Sequence, residues 1–393
     1  MMIDKNAPVA LDRCTGYDVD ALARILRAQL ERLGAADMFN GKRVAVKVNL
    51  VMKKGPEAAA TTHPAVLEAM LRILSERAAE VVIAESPGGP YTAQSLQAHY
   101  RVCGIAEAAA RGGAKLNLST DFREVHAPEA AASKFFNVIS PILDADVIVN
   151  LAKLKSHSLT GYSGAVKNFF GVIPGVQKFE MHARFPDYGD FGAMLCDLCQ
   201  CVAEMKPTFH VLDGILAMEG NGPTGGEPRR LDCILSGVNP YNVDIAGTSL
   251  IDVSGVIMLE EAKRRGLCVS DAAALTVNGT ETLADFAVTD FKKPETARRG
   301  LHGSSMFKIL PKLFGGRLNA WLQPKPAIGK NCVGCGECVR SCPRHTISLA
   351  DKNGRKYAVI DRSACIRCWC CQELCPAKAV KIRKNPIIRL IGG

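Results

Sequence analysis

The chain reads as an α/β protein, a mostly parallel sheet with flanking helices, joined to a small C-terminal α+β region. Three observations predict this. Short apolar runs alternate with helix-length patterns through residues 1–291. Gly/Pro loops follow several of those runs closely. Nine of the sixteen cysteines crowd between Cys332 and Cys375 at regular spacings.

Taken in order, Arg43–Val51 (RVAVKVNLV) has the composition of a buried strand. Pro64–Ala79 reads as a helix, with Pro64 suited to the first turn. Val81–Glu85 is a second strand and Tyr91–Gly112 a helix. Asp146–Leu151, His210–Asp213 and Leu231–Val238 are further strands. Phe191–Met205 is helical, and its Cys196, Cys199 and Cys201 read as buried structural cysteines. The loops Lys53–Pro56, Ser86–Pro90 and Gly220–Gly226 are singly only turns. Together, at strand ends, they predict a pocket beyond one edge of the sheet.

Composition narrows the classes. At 393 residues, 48% hydrophobic and 22% charged, the chain is long enough for two or three domains. No run of about 18 apolar residues occurs, so no membrane span is expected. Met1–Asp12 lacks the basic-then-apolar pattern of a secretory leader, and a cytoplasmic protein is the expectation. The net charge of +10 is uneven: −6 over residues 1–291, +7 over 292–327 and +9 over 328–393. A basic tail can mean nucleic acid. Compensation of anionic metal clusters explains it more simply, with any excess steering an acidic redox partner or reductase. No nucleic acid is expected. The expected division is an α/β domain with a ligand pocket (1–291), a basic linker (292–327) and a cysteine-rich domain (328–393). Within the linker, Ser305–Leu322 mixes apolar and basic residues. Pro311 and Gly315-Gly316 break its helical pattern and favour a packed linker over a membrane-surface helix.

The cysteines carry the sharpest chemistry. Cys332-x2-Cys335-x2-Cys338-x3-Cys342-Pro343 recurs as Cys365-x2-Cys368-x2-Cys371-x3-Cys375-Pro376, every ligand offset by 33 residues. Each C-x2-C-x2-C loop wraps three irons of a 4Fe–4S cubane, and the remote fourth cysteine ligates the other cluster. Cluster I then takes Cys332, Cys335, Cys338 and Cys375; cluster II takes Cys365, Cys368, Cys371 and Cys342. Zinc sites commonly pair two C-x2-C units and do not need the doubled quartet. Gly334 and Gly336 let the backbone approach the sulfurs. Cys370 is an extra thiol that the spacing leaves out of the ligand set, and Trp369 is placed to shield its cluster. Residues 325–385 resemble the bacterial two-cluster ferredoxins. The resemblance implies two pseudo-symmetric halves, two clusters and electron transfer.

In the larger domain the densest polar constellation runs from Asn150 to Gly175. A strand ends near Leu151, a glycine-bearing loop follows, and a short helix starts near Ser163. Lys155, His157, Lys167 and Asn168 converge there in this reading, with the helix N-terminus, on an anionic ligand. His157 and Lys167 are the catalytic candidates, His157 as a proton donor. Lys155, Asn168, Glu219 and Asn221 are the cofactor- or substrate-binding candidates. With Asn49, Ala60–Pro64, Ser86–Pro90 and Asp213–Pro223, this segment resembles the domain of unknown function 362 family over about residues 40–290. A shorter stretch, His157, Gly161-Tyr162-Ser163-Gly164-x-x-Lys167 and Pro174-Gly175, is similar to the nickel-pincer lactate racemases. There the histidine is an acid/base and the lysine holds a nickel cofactor. Ala165-Val166 departs from that family's usual pair, so only a pocket location and a shared fold carry over.

Three functions remain open from sequence. One is an iron–sulfur oxidoreductase whose clusters feed a small-molecule substrate, an unidentified organic cofactor or a flavin in the α/β domain. A second is an electron carrier or maturation protein serving a separate partner. A third is a racemase-like enzyme with structural clusters.

Overall fold

The computed structural model describes residues 3–296, 323–352 and 354–384. The Ser305–Leu322 segment lies outside the described residues. The strands are β1 (Val9–Arg13), β2 (Arg43–Lys47), β3 (Glu80–Ala84), β4 (Lys115–Leu116), β5 (Phe122–His126), β6 (Phe135–Ile139), β7 (Val147–His157), β8 (Gly161–Ser163), β9 (Thr208–Glu219), β10 (Glu227–Gly237) and β11 (Val277–Asn278). The small C-terminal region adds β12 (Lys325–Ile328), β13 (Ile347–Lys352), β14 (Arg355–Ile360) and β15 (Val380–Arg383). One sheet has the order β11-β1-β10-β9-β7-β2-β3-β4, with β8 folded back on β7. β9, β7, β2, β3 and β4 run parallel, whereas β10 is antiparallel to both β9 and β1. The mostly parallel expectation holds, and the Leu231–Val238 strand supplies the antiparallel part.

Alternation builds two cores. In β2, Val44 and Val46 face one core while Ala45 faces the other. In β7, Val147, Val149 and Leu151 face the first and Ile148, Ala152 and Leu154 the second. Helices Val19–Arg32 and Pro64–Ser75 supply apolar side chains to the first core. Tyr188–Met205, Pro240–Leu250 and Ile257–Arg264 supply the second. Because both faces are covered, all eleven residues of β7 are buried.

Strand β2 stops at Lys47, short of the expected Val51, for a visible reason. The next backbone donors go to loop and side-chain acceptors: Asn49 N to Thr62 Oγ1 at 2.7 Å and Leu50 N to Glu85 Oε2 at 2.9 Å. The expected Tyr91–Gly112 helix is two helices, Ala93–Val102 and Ile105–Arg111, parted by Gly104 in a left-handed conformation (φ 73°).

The C-terminal region repeats itself in its backbone as well as its cysteines. The left-handed residues Gly334, Gly336 and His345 recur, at the same offset, as Arg367, Trp369 and Lys378. The short helices Glu337–Arg340 and Cys370–Glu373 correspond in the same way. The second copy places side chains where the first uses glycine, although the left-handed region disfavours a Cβ by about 1–2 kcal/mol. Trp369 is one of them and is 5% exposed. Among the described residues, no helix is long and apolar enough to cross a membrane.

Phe209 anchors the middle of the sheet, fully buried and edge-on to Phe39 at 6.3 Å. Phe209→Ala is expected to lower the unfolding free energy by about 3–5 kcal/mol, read as a shift in denaturant midpoint. A loss below about 1 kcal/mol would contradict this placement.

Candidate functional site

A cavity opens at the carboxyl ends of β2, β3 and β7, with about 70 Å³ of room for water-sized spheres. The chain after β2 contributes Asn49, Leu50 and Val51; the turn after β3 contributes Glu85, Ser86, Pro87 and Gly88. Lys155 and His157 come from the end of β7, Lys167 and Asn168 from the short helix Ala165–Asn168, and Lys178 and His182 from the helix Gln177–Arg184. Pro223 enters from the loop after β9. The last wall is the C-terminal region: Cys370, Glu373 and Leu374. Of the three loops expected to form a pocket, two line it, through Ser86–Gly88 and Pro223; Lys53–Pro56 does not, and its Lys54 instead reaches the Thr224 carbonyl.

That last wall is fastened by specific contacts. Thr224 donates its hydroxyl to the Glu373 carbonyl at 2.6 Å, and Gln372 Nε2 donates to the Asn221 carbonyl at 3.0 Å. Leu374 packs over Gly88, where a Cβ would lie 3.3 Å from a leucine methyl.

Of the four residues expected to converge, all line the cavity: Lys155, His157, Lys167 and Asn168. Lys155 donates to Asn49 Oδ1 (2.5 Å) and to the Ala60 carbonyl (2.7 Å). Asn49 Nδ2 in turn donates to Asn168 Oδ1 at 2.7 Å, and Asn168 Nδ2 to Asn150 Oδ1 at 2.6 Å. Lys167 lies over the Phe170 ring at 4.4 Å and the Phe191 ring at 5.9 Å. His157 Nδ1 accepts the backbone N–H groups of Leu159 (3.1 Å) and Thr160 (3.4 Å), which leaves its proton on Nε2.

Three expectations are revised. The helix N-terminus expected to face an anion is already capped: Asp244 accepts from Ala165 N at 2.6 Å and Val166 N at 2.9 Å. Burial pushes the Asp244 carboxyl up to about 7 against those bonds. Glu219 and Asn221 lie outside the cavity lining. Glu219 pairs with Lys292 at 3.2 Å and Asn221 holds Glu295 at 2.7 Å, so both tie the strand end to the connector. Lys153, part of the same polar run, is consumed by Asp213 at 2.8 Å in the neighbouring strand register.

Other site residues were not singled out from sequence. Lys47 and Glu85 form a buried pair at 3.0 Å against Gly171, where a Cβ would collide with both. Lys178 donates to Ser86 O and Ile173 O, both at 2.6 Å, and to Ser86 Oγ at 3.1 Å. His182 stacks on Phe191 at 4.5 Å. A lysine inside the apolar run VAVKVNL was the available signal for Lys47.

Burial dominates the electrostatics. It lowers Lys155 and Lys178 to about 7, lowers Lys167, and holds His157 well below its usual 6.5 and His182 at about 3. Burial raises the Glu373 carboxyl, opposed by Lys167, Lys155 and Lys178. Both histidines are therefore neutral at pH 7.

The cysteines of the C-terminal region lie close enough to shift one another's thiols. Cys338 feels Cys375, Cys332 and Cys335; Cys365 feels Cys368 and Cys342; Cys371 feels Cys368, Cys365, Cys338 and Cys342. Burial and then these neighbours push the Cys338 thiol up to about 11. Such crowding of thiols is what iron ligation relieves. Among the described residues no three His, Cys, Asp or Glu side chains converge on a single-ion site. Instead Cys332, Cys335, Cys338 and Cys375 line a hollow of about 20 Å³. Backbone N–H groups of Thr346, Ala358 and Ala379 point at Cys342, Cys332 and Cys375 sulfurs at 3.4, 3.4 and 3.1 Å. The residues present fit 4Fe–4S ligation.

Lys155 gives a signed pH prediction. Its folded pKa of about 7 lies below the ordinary 10.5, so between those values the unfolded chain binds more protons. That share of stability rises with pH across the window and is flat below it. Lys155→Met is expected to show a smaller gain, or a larger loss, of stability than wild type between pH 7 and 10. Denaturant midpoints at intervals of one pH unit check this; parallel profiles would refute it.

Residues 331–379 match the 4Fe–4S dicluster domain. This region is a ferredoxin-type domain, and the chain is an iron–sulfur electron-transfer protein. The pyruvate synthase subunit PorD of Methanothermobacter marburgensis is 32% identical over 70 residues, 18% of this chain and 78% of its own. The thylakoid-associated protein sll1697 of Synechocystis sp. is 28% identical over 295 residues, 73% of this chain and 88% of its own. Among solved structures, the lactate racemase apoprotein from Thermoanaerobacterium thermosaccharolyticum aligns at 16% identity and a TM-score of 0.33. That alignment covers 54% of this chain and 52% of the racemase, about half of each, and says nothing about activity. Residues 44–249, more than half of the chain, match the model described as domain of unknown function DUF362, and the chain belongs to that family.

Proposed function

We propose that the chain is an oxidoreductase that reduces or oxidises a substrate, or an organic cofactor such as a flavin, held in the cavity at the sheet edge. The observation that carries this reading is the shared wall. Cys370, Glu373 and Leu374 sit in and beside the second cysteine loop, and they line the same cavity as Lys155, His157 and Lys167. When bound, two 4Fe–4S clusters supply single electrons to that cavity. Cys332, Cys335, Cys338 and Cys375 would hold the first, and Cys342, Cys365, Cys368 and Cys371 the second. The proposed division is residues 1–291 for the ligand, 292–327 as linker and 328–393 for the clusters.

The arrangement has a direction. Cys335 is exposed and Val333 is 64% exposed, whereas Cys370 and Cys371 are buried. Cys371 and Cys338 neighbour each other across the two quartets. Basic residues surround the exposed rim: Arg340 reaches the Cys335 carbonyl, Arg355 the Cys332 carbonyl, and Lys356 packs at Gly334. An acidic redox partner suits that rim, with the buried side facing the ligand.

Within the cavity Lys167 binds and His157 orients through its Nε2–H. Proton transfer falls more naturally to Lys155, whose pKa of about 7 matches neutral pH. His157 is a poor acid while neutral and gains a proton only where a bound negative charge raises its pKa.

Anaerobic purification of the full chain should give about eight irons per molecule and a dithionite-reduced EPR spectrum with two components. Cys375→Ser should remove the same component as Cys332→Ser, and Cys342→Ser the same as Cys365→Ser. An EPR-silent reduced protein would end the electron-delivery reading. Loss of mismatched components would end the crossed ligation alone.

A further inference from the structure

A count of hydrogen-bond donors in the cavity identifies the class of ligand. An ammonium has three N–H donors. Lys178 spends all three on Ser86 O, Ser86 Oγ and Ile173 O. Lys155 spends two, on Asn49 Oδ1 and Ala60 O, and keeps one. Lys167 is 9% exposed, and among the described residues its ammonium makes no hydrogen bond and has no carboxylate oxygen within 4 Å; the faces of Phe170 and Phe191 lie against it, with Glu373 and Cys370 farther off. His157 adds a free Nε2–H, because Nδ1 is occupied as an acceptor. The unspent donors therefore belong to three residues around one small space.

Acceptors do not match them. Glu85 is fully engaged: Oε1 takes Ser86 N at 2.8 Å, and Oε2 takes Lys47 at 3.0 Å and Leu50 N at 2.9 Å. Glu373 faces the lysines but forms no ion pair with them within 4 Å among the described residues. The Lys167 ammonium faces the cavity space and keeps little hydration there, and a ligand that brings an acceptor replaces what it has lost.

Resting on the cavity being the substrate site, we propose that it binds its ligand through an oxyanion, a carboxylate or a phosphate. Lys167 makes the principal contact, the remaining N–H of Lys155 and the Nε2–H of His157 complete the grip, and Lys178 adds charge without a bond. Phe170, Phe179 and Leu374 leave an apolar side for the rest of the molecule. The room available equals that of about five waters, so the ligand, or its bound end, is small.

The test is isothermal titration of the full-length oxidised holoprotein with three probes: malonate, inorganic phosphate and the neutral isostere malonamide. Saturable binding of at least one anion, with none of malonamide, is the expected result. Malonate alone, or phosphate alone, identifies which oxyanion the site takes. Lys167→Met should weaken that binding by at least about tenfold, while Lys167→Arg keeps most of it and Lys42→Gln, on the surface, leaves it unchanged. Should Lys167→Met misfold, His157→Gln serves, with a smaller loss expected. Binding of neither anion, equal binding of malonamide, or wild-type affinity in both Lys167→Met and His157→Gln would overturn the proposal. No electron moves in this measurement, so its failure leaves the EPR result standing, and an EPR-silent protein leaves the binding result standing.

Discussion

The carboxylate of Glu373, buried opposite Lys155, Lys167 and Lys178, is the constraint on which the rest of this molecule depends. It comes from a short helix between two cysteines, and the lysines come from the sheet edge and two helices beyond it. Three lysines buried together repel one another when charged and resist desolvation, which is why burial lowers all three. The Glu373 carboxyl at their mouth is attracted by all three, against the cost of its own burial, and it can be there only if the cysteine-rich region docks on the carboxyl ends of β2, β3 and β7. The hydrogen bonds from Thr224 and Gln372 hold that docking in register.

The sheet prepares the other side. β7 is buried along its whole length yet carries Lys153, Lys155 and His157 on one face. Each is dealt with differently. Lys153 meets Asp213 inside the sheet, Lys155 reaches across to Asn49, and His157 is gripped at Nδ1 by the turn that follows. Asp244, from the helix Pro240–Leu250, then fixes the start of the short helix that presents Lys167. Position is thus set partly from the cavity wall, by Asn49, and partly by groups outside it, Asp213, Asp244 and the backbone of Leu159 and Thr160.

The cysteine-rich region was legible in the sequence because cluster ligation imposes spacing, and spacing survives in one dimension. The repeat even extends to left-handed residues, although Arg367 and Trp369 hide it where the first copy shows glycine. The α/β class was legible from alternation, and Lys155, His157, Lys167 and Asn168 from their density among glycines. Lys47, Glu85 and Lys178 were not. Each is a single charge in an apolar or ordinary helical context, and only the parallel pairing of β2 with β3 and β7 brings them together. Glu219 and Asn221 misled for the opposite reason: a Gly-rich strand end resembles a binding loop whether it holds a ligand or the next stretch of chain. Glu373 was invisible among ligand cysteines.

The wall formed by Cys370, Glu373 and Leu374 also joins the cavity to the cysteine-rich region through one short stretch of chain. Every other side of the cavity is encoded far earlier in the chain, between Asn49 and Pro223. Under the proposed ligation, Glu373 lies between Cys371, in its own helix, and Cys375, just beyond it, and these belong to different clusters. The stretch of backbone that walls the cavity is thus the same stretch that carries ligands of both proposed clusters, so substrate and electrons would meet across a few residues.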